Sequence, residues 1–245
     1  IPRFVRSGVI EPIVNNLSVS TDNLSFDYKA KRFVSGSKYD LVKRHHSWFG
    51  SFSSEEKEEL LSDNVHYATK DLDIYKDAKN LLRSCDAENK IEQMQFLDMN
   101  YYLAEDILTK VDRASMAVSL EVRAPFLDHH FAEYVASLPP EYKLKGSVTK
   151  FILKKSVENL LPENIIKRPK KGFGIPIAEW LKGSLNPLLH EMLSPSRLII
   201  QDLFKHEYIQ QIIREHEQGI ANHYKQLWTL LVFQLWYENF MKQKR

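Results

Sequence analysis

Apolar residues recur at helical spacing along most of the chain, whereas strict alternation of apolar and polar residues is scarce. The clearest amphipathic segment covers residues 98–130. Five of its apolar residues are spaced to face a core: Leu103, Ile107, Val111, Ala114 and Val118. Pro125 disfavours helical backbone at the residue before it, so the helix is expected to end near Glu121 or Val122. The pattern therefore predicts a mainly α chain.

A second, charged stripe accompanies the apolar one in this segment. Its members are spaced to fall on one side of an α-helix: Lys110, Arg113, Ala117 and Glu121. Arg123 and Asp128 follow in the turn that leaves the helix. One interpretation is a core helix with a solvated face and a salt-bridged exit. The other is a functional site, because ionisable groups gather beside apolar residues at a helix end.

Helix boundaries elsewhere are marked by capping residues and prolines. The pair Ser53-Ser54 followed by Glu56 is typical of a helix N-terminus. Pro139-Pro140 is expected to end the helix before it, and Gly146-Ser147 marks a turn. The last helix, in residues 223–241, is apolar on almost every side, which predicts burial in a core or against another domain.

A loop between residues 167 and 176 combines cations with glycines. Arg168, Lys170 and Lys171 precede Gly172. Glycine lets a backbone approach a ligand closely, and a lysine there is a compact charge suited to phosphate. A surface turn with unrelated lysines is the alternative interpretation. The pattern G-x-x-x-x-G-K-S/T is absent, so the loop is not a P-loop of the common nucleotide-hydrolase type.

Composition narrows the class of protein. The 245 residues are 43% apolar and 27% charged with a net charge of +2, which is ordinary for a globular protein and predicts no polyanion partner. Residues 29–49, basic with interleaved aromatics, are interpreted as a solvated helix face rather than a nucleic-acid site. His45-His46 lacks further ligands at metal-binding spacing, so no metal site is predicted. Cys85 is the single cysteine and fits a reducing compartment, and no apolar run reaches the roughly 20 residues that a membrane span needs.

Three segments resemble the synthetase domain of glutamine-hydrolysing asparagine synthetases. They follow the family's order over most of residues 95–240: YYLAEDILTKVDRASMAVSLEVRAPFLDHHFAEYVASLPPEYKL, TKFILKKSVENLLPENIIKRPKKGFGIPIAEWL and LWTLLVFQLWYENF. The family's patterns S-G-G-x-D-S and G-D/E-G-x-D-E do not occur, and neither does its glutaminase domain with an N-terminal cysteine. The resemblance implies the helical C-terminal portion of an α/β adenine-nucleotide α-hydrolase-like (PP-loop) synthetase domain, with the parallel-sheet nucleotide-binding half missing.

Within that domain, residues 1–90 are expected to be a variable helical lead-in and residues 91–245 a helical core that carries the family motifs. The resemblance implies a cytoplasmic parent enzyme that uses ATP and Mg²⁺ to convert aspartate and glutamine-derived ammonia to asparagine. A homodimer is among the expected assemblies. The fragment alone is expected to be inactive, without bound ATP or Mg²⁺. A β-lactam-forming or other amidating ligase of the same family and a non-catalytic helical scaffold are the alternatives.

The resemblance also implies roles for individual residues. Lys170 stands where the family places a lysine at the phosphates, and Arg113 where related enzymes keep a cation, so both are expected to be catalytic. Lys171, Asp112 and Glu121 are expected to bind substrate or nucleotide.

Residues expected to support the site structurally lie just after the end of the helix. Arg123 and Asp128, together with Glu121, are expected to form a buried ion-pair network against the missing half. In the fragment, the same charges are expected to face solvent or one another.

Overall fold

The computed structural model describes residues 5–18, 20, 25–169 and 174–241. The chain divides into two compact units, the first formed by Ile1–Ile74 with Phe173–Arg245 and the second by Tyr75–Gly172. Regular structure in the described residues is almost entirely helical, with one short two-stranded sheet. The prediction of a mainly α chain is therefore confirmed.

The first unit begins with a π-helical turn at Arg6–Ile10. Its helices continue through α1 (Glu11–Asn15), α2 (Phe26–Gly36), α3 (Leu41–Phe49), α4 (Ser54–Leu60) and α5 (Asp63–Thr69). Ser53 caps α4, because its hydroxyl accepts the N–H of Glu56 at 3.1 Å while the Glu56 carboxylate accepts the N–H of Ser53 at 2.6 Å. This reciprocal capping box satisfies two donors at the helix start, as the sequence predicts.

The second unit is a run of short helices around a hairpin. Its elements are α6 (Lys76–Arg83), α7 (Lys90–Asp98), a π-helix (Met99–Leu108), α8 (Thr109–Met116), a 3₁₀-helix (Pro125–Leu127), α9 (His129–Ser137), α10 (Pro140–Lys143), β1 (Leu144–Lys145), β2 (Val148–Thr149), α11 (Phe151–Ser156) and α12 (Glu163–Ile166). The predicted turn at Gly146-Ser147 joins β1 to β2, with Gly146 at a φ of +59° that glycine adopts readily. The helix before Pro139-Pro140 ends at Ser137, as expected.

The remaining helices complete the first unit and build its core. They are α13 (Ile177–Lys182), α14 (Asn186–Met192), α15 (Pro195–Gln201), α16 (His206–Glu217) and α17 (Tyr224–Phe240). Side chains from these helices, from Leu193 just after α14 and from α4 form a single cluster: Leu60, Leu181, Leu189, Leu193, Leu198, Ile209, Ile212, Ile213, Leu227, Leu230 and Leu231. Each such side chain contributes roughly 1.5–3 kcal/mol when fully buried, so this cluster is the main source of the unit's stability.

Backbone hydrogen bonds join the two parts of the first unit across a long sequence separation. The N–H of Lys205 donates to the Leu60 carbonyl at 2.8 Å, and the N–H of Ser62 donates to the Leu203 carbonyl at 3.1 Å. The Ser62 hydroxyl adds a bond of 2.7 Å to the carbonyl of Asp202. The connection after α15 is thereby fixed to the end of α4.

Helix α17 is buried on one face only. Leu227 and Leu231 are at most 1% exposed, whereas Trp236 is 47% and Phe240 61% exposed. The prediction of a buried last helix therefore holds for one face, and the opposite face is apolar and open. Within the described ranges, every helix is too short or too polar to span a lipid bilayer.

Candidate functional site

The candidate segment, residues 98–130, begins within a continuous helical run that changes from α-helix to π-helix and back to α-helix. Asn89 caps α7 by accepting the N–H of Ile91 at 2.8 Å, and α7 leads without a break into the π-helix Met99–Leu108 and then α8. The Thr109 hydroxyl donates to the carbonyl of Ala104 at 3.0 Å, five residues earlier. π-Helical segments are rare and occur frequently at functional sites. The composition of Met99–Leu108 does not differ from that of an α-helix, so the sequence does not predict the π-helix.

The π-helix alters which residues share a face. A π-turn takes in more residues than the 3.6 of an α-helix, so a stripe assigned with α spacing is rotated out of line. Leu103 and Ile107 are half-buried, but Val111 is 41% and Val118 75% exposed, and Ala114 is exposed as well. The prediction that these five residues face a core is therefore wrong for the last three in this chain.

Helix α8 ends at Met116, earlier than the predicted end near Glu121. The N–H of Ser119 donates to the Met116 carbonyl and that of Leu120 to the Ser115 carbonyl, both at 3.0 Å. Ser119 has a φ of +58°. These bonds form a Schellman motif, which usually has glycine at the left-handed position. With serine at this position the sequence carries no signal for the helix end, and the nearest local signal is the later Pro125.

The early end of α8 divides the predicted charged stripe. Asp112 and Arg113 are exposed, and Arg113, in the last turn of the helical run, has the sign that the helix dipole favours there. Lys110 pairs with Asp106 at 3.3 Å. Glu121 lies beyond the helix, so it does not share a helical face with Arg113. The prediction of one continuous charged stripe is wrong in this chain.

The residues that follow α8 form local contacts. Glu121 and Arg123 form an ion pair whose side chains are 68% and 89% exposed, and such pairs contribute little to stability. Asp128 caps α9 by accepting the N–H of Phe131 at 3.1 Å. These charges face solvent or one another, as expected for the chain alone, whereas the buried network of Arg123 and Asp128 is expected against a further part of the protein. Such a network stays a prediction for a longer protein.

The glycine-containing loop that follows Lys167 is described only in part. Lys170 and Lys171 lie outside the described residues, while Arg168 is described and exposed. Among the candidates that the structure does describe, the residues brought into contact are Glu121 and Arg123. No group of three or more His, Cys, Asp or Glu in the described ranges is placed to hold a metal ion.

An ion pair that the sequence does not predict joins residues on the two sides of the candidate segment. Lys143 at the end of α10 meets Glu92 of α7 at 3.0 Å, with side chains only 12% and 23% exposed. The Lys143 ammonium also donates to the Ala136 carbonyl at 3.0 Å. The two residues stand 51 positions apart, so no local pattern could pair them. This contact fixes the start of the helical run to the hairpin region.

Several apolar side chains that follow α8 are exposed as well. Val118 is 75%, Leu120 58%, Val122 50% and Phe126 60% exposed. Exposed apolar side chains that are close together in the sequence are typical of surfaces that contact ligands or other protein surfaces. Arg113 is exposed and precedes these residues in the sequence, and a guanidinium can donate several hydrogen bonds to an anion.

Comparison with known proteins identifies the family. The sequence model for asparagine synthase matches residues 22–238. The chain belongs to the asparagine synthase family. It is 33% identical over 165 residues to glutamine-hydrolyzing asparagine synthetase 1 of Bacillus subtilis (strain 168), which covers 66% of this chain and 26% of that protein. It is 34% identical over 153 residues to a putative glutamine-hydrolyzing asparagine synthetase of Mycobacterium tuberculosis (strain ATCC 25618 / H37Rv), covering 62% of this chain and 23% of the relative.

A third family relative comes from Gallus gallus. Its glutamine-hydrolyzing asparagine synthetase is 43% identical over 94 residues, covering 37% of this chain and 16% of that protein. The chain spans about a quarter of the length of the two bacterial relatives. No solved structure matches it.

Proposed function

We propose that this chain is the helical C-terminal part of the synthetase domain of an ATP-dependent, glutamine-hydrolysing asparagine synthetase. The observation that carries the proposal is the family match over residues 22–238. The names of the bacterial relatives support it. The longer protein would supply a nucleotide-binding half of the PP-loop type and a glutaminase domain. The fragment alone is expected to be inactive.

In the proposed reaction, the side-chain carboxylate of aspartate attacks the α-phosphorus of ATP. An acyl-adenylate forms and pyrophosphate leaves; Mg²⁺, when bound, would help to balance the charge of the phosphates. Ammonia released from glutamine then attacks the acyl carbon, AMP leaves with the bonding electrons, and a proton is lost to give asparagine. Negative charge builds up on the α-phosphate and the leaving pyrophosphate, so fixed cations aimed at those oxygens are the main means of lowering the barrier.

We assign that role to Lys170, with Arg113 as a second catalytic cation. Lys171, Asp112 and Glu121 are proposed to contact substrate or nucleotide. The exposure of α8 and of its apolar neighbours supports this proposal, because Val118 is 75% exposed next to the charged helix end. Such a surface suits a wall of a site that the nucleotide-binding half covers.

The test of the catalytic assignment is Lys170→Ala in the full-length protein. Loss of a charge that stabilises the transition state is expected to lower kcat about 10²–10³-fold, by analogy with one oxyanion donor. The melting temperature should stay nearly unchanged. Lys171→Ala is the comparison variant at the neighbouring position. It should lower the rate of pyrophosphate release less than Lys170→Ala does. A large drop in melting temperature, with the remaining folded enzyme fully active, would contradict the assignment.

Arg123→Ala tests the proposed buried ion-pair network. The variant is compared in the 245-residue chain and in the full-length protein. In the 245-residue chain its side chain is 89% exposed, so the free energy of unfolding should change by at most about 1 kcal/mol. In the full-length protein, loss of one partner from a buried network should cost about 3–5 kcal/mol. Those molecules of the full-length Arg123→Ala variant that remain folded should keep their synthetase activity. Equal, small effects at both lengths would refute the buried network.

The amidated substrate is tested separately. Pyrophosphate exchange into ATP, measured with aspartate and with other carboxylic acids, should be fastest with aspartate in the full-length enzyme. Faster exchange with a different acid would assign the chain to another amidating or lactam-forming ligase. Exchange catalysed by the 245-residue chain alone would contradict the proposal that it lacks its nucleotide-binding half.

A further inference from the structure

Lys143 contacts both of the helices that adjoin the candidate segment. Its ammonium, at the end of α10, donates to a carboxylate oxygen of Glu92 at 3.0 Å and to the carbonyl of Ala136 at 3.0 Å. Glu92 belongs to α7, which ends where residues 98–130 begin, and Ala136 belongs to α9, which begins where they end. One side chain therefore holds the helix that enters the segment and the helix that leaves it.

The contacts of Lys143 are suited to fixing these helices, because they are largely covered. An ammonium that loses its hydration needs acceptors in its place, and hydrogen bonds to a carboxylate are stronger than those between neutral groups. The exposed pairs of Lys110 with Asp106 and of Lys155 with Glu158 differ from this one. Each joins residues three or four positions apart, so neither connects two distant helices.

The continuous helical run carries the position of α7 to the charged end of α8. The run passes from α7 through the π-helix into α8 without a break, so a tilt at its start is transmitted to its end. Arg113 lies about 30 Å along the run from Glu92, at roughly 1.5 Å per residue, and a tilt of about 2° would move it by about 1 Å. The contact at Glu92 thus controls the placement of Arg113.

We propose that Lys143 is a positioning residue of the synthetase site, which holds α8 and the residues after it where aspartate and ATP react. This inference rests on the proposed function, because it takes Arg113 as a catalytic cation. Lys143 acts through other residues, since its ammonium donates to α7 and α9. Reacting groups must be placed closely, and a misplacement of about 1 Å can lower a rate about 10²-fold.

Lys143→Met in the full-length protein tests this role. Methionine has a similar length but removes both hydrogen bonds, so kcat for aspartate-dependent pyrophosphate exchange should fall about tenfold or more. The folded fraction, followed by near-ultraviolet circular dichroism at the assay temperature, should stay above about 90%, because one ion pair is a small part of a domain's stability. Lys143→Arg can donate to both acceptors and should restore most of the rate. Lys155→Met, which breaks an exposed pair, is the matched control and should keep the full rate.

The same substitution in an Arg113→Ala background separates positioning from a purely structural role. If Lys143 acts by placing Arg113, then Lys143→Met should lower kcat less than about twofold once residue 113 is alanine. A structural role would lower the rate by the same factor in both backgrounds. An unchanged kcat in Lys143→Met, or equal factors in the two backgrounds, would overturn the proposal.

Two further results keep the outcome clear. If Lys143→Met does not fold, Glu92→Ala takes its place, because it releases α7 while Lys143 can still donate to Ala136. An unchanged kcat in Glu92→Ala would then overturn the proposal. Absence of aspartate-dependent exchange in the unaltered full-length protein would contradict the proposed function, and this inference with it. Normal exchange in the unaltered protein, with full kcat in Lys143→Met, would reject the positioning role alone.

Discussion

At the scale of single residues, His216 makes the stability of the first unit depend on pH. Its side chain is 0% exposed, and its Nε2 lies 3.2 Å from the carbonyl of Ala178. Its Nδ1 has no hydrogen-bond partner among the described residues. Burial lowers the pKa of His216, because a protonated ring would carry an unsatisfied donor and a charge into an apolar core.

The sign of this shift fixes a pH window for stability. Since the folded pKa lies below the ordinary value of 6.5, the unfolded chain takes up the proton first as the pH falls. The free energy of unfolding should therefore decrease below about pH 6.5, by at most about 1.4 kcal/mol per pH unit. Denaturant unfolding at pH 7.5, 6.5 and 5.5 measures the slope. His216→Gln should reduce this slope, and its side-chain amide can still donate to the Ala178 carbonyl. The control His129→Gln, at an exposed position, should leave the slope unchanged. An unchanged slope in His216→Gln would contradict this account.

At the scale of elements, local signals predicted what local contacts determine. The capping box at Ser53, the stop before Pro139-Pro140 and the turn at Gly146 each depend on a few neighbouring residues, and each is present. The end of α8 was missed because Ser119 occupies a position at which glycine is the usual signal. The ion pair of Lys143 was missed because its partner is distant in sequence. The sequence pattern therefore predicts where helices form better than it predicts which helices contact one another.

The capping box at the start of α4 provides a direct test. Ser53→Ala removes the acceptor for the N–H of Glu56 and should lower the free energy of unfolding by about 1 kcal/mol. Ser54→Ala is the matched control, because Ser54 is the first residue of the helix and Ser53 provides the cap. Urea unfolding of both variants measures the difference. Equal losses in the two variants would show that the box contributes nothing specific.

The ion pair between α7 and α10 should matter more than an exposed one. Lys143→Met leaves the Glu92 carboxylate largely covered and without its partner, which should cost about 1–3 kcal/mol. Lys155→Met breaks the exposed pair with Glu158 and should cost less than about 0.5 kcal/mol. Adding Glu92→Gln to Lys143→Met should restore part of the stability, because the unpaired charge is removed. No recovery in the double variant would contradict the electrostatic explanation.

The left-handed residue after α8 gives another test at this scale. Ser119→Val places a β-branched side chain at a φ of +58° and should destabilise the chain by about 1–2 kcal/mol. Ser119→Gly fits the same backbone and should be tolerated. Thermal unfolding of the two variants compares them under identical conditions. Destabilisation by glycine equal to that by valine would rule out backbone conformation as the cause.

At the scale of the whole molecule, burial is distributed unevenly between the two units. In the described part of Tyr75–Gly172 the buried residues are Ala78 and Leu97, whereas the first unit contains a continuous core from Leu60 to Leu231. The sequence predicts that both units are helical, but periodicity cannot tell whether an apolar face is covered. Coverage depends on the packing partner, which for residues such as Val118 does not lie among the described residues.

Amide hydrogen exchange should report this asymmetry. Protection depends on the free energy of opening, which is low where few apolar contacts are buried. We therefore expect slow exchange in α16 and α17 of the first unit and much faster exchange in α8 and α11 of the second. Leu227→Ala, which should remove about 2–5 kcal/mol from the core, should speed exchange in α16 and α17. Val118→Ala is the exposed counterpart and should change exchange little, because its side chain is already 75% exposed. Equal protection of α8 and α17 in the unaltered chain would show that the exposed apolar surface of the second unit is covered in solution.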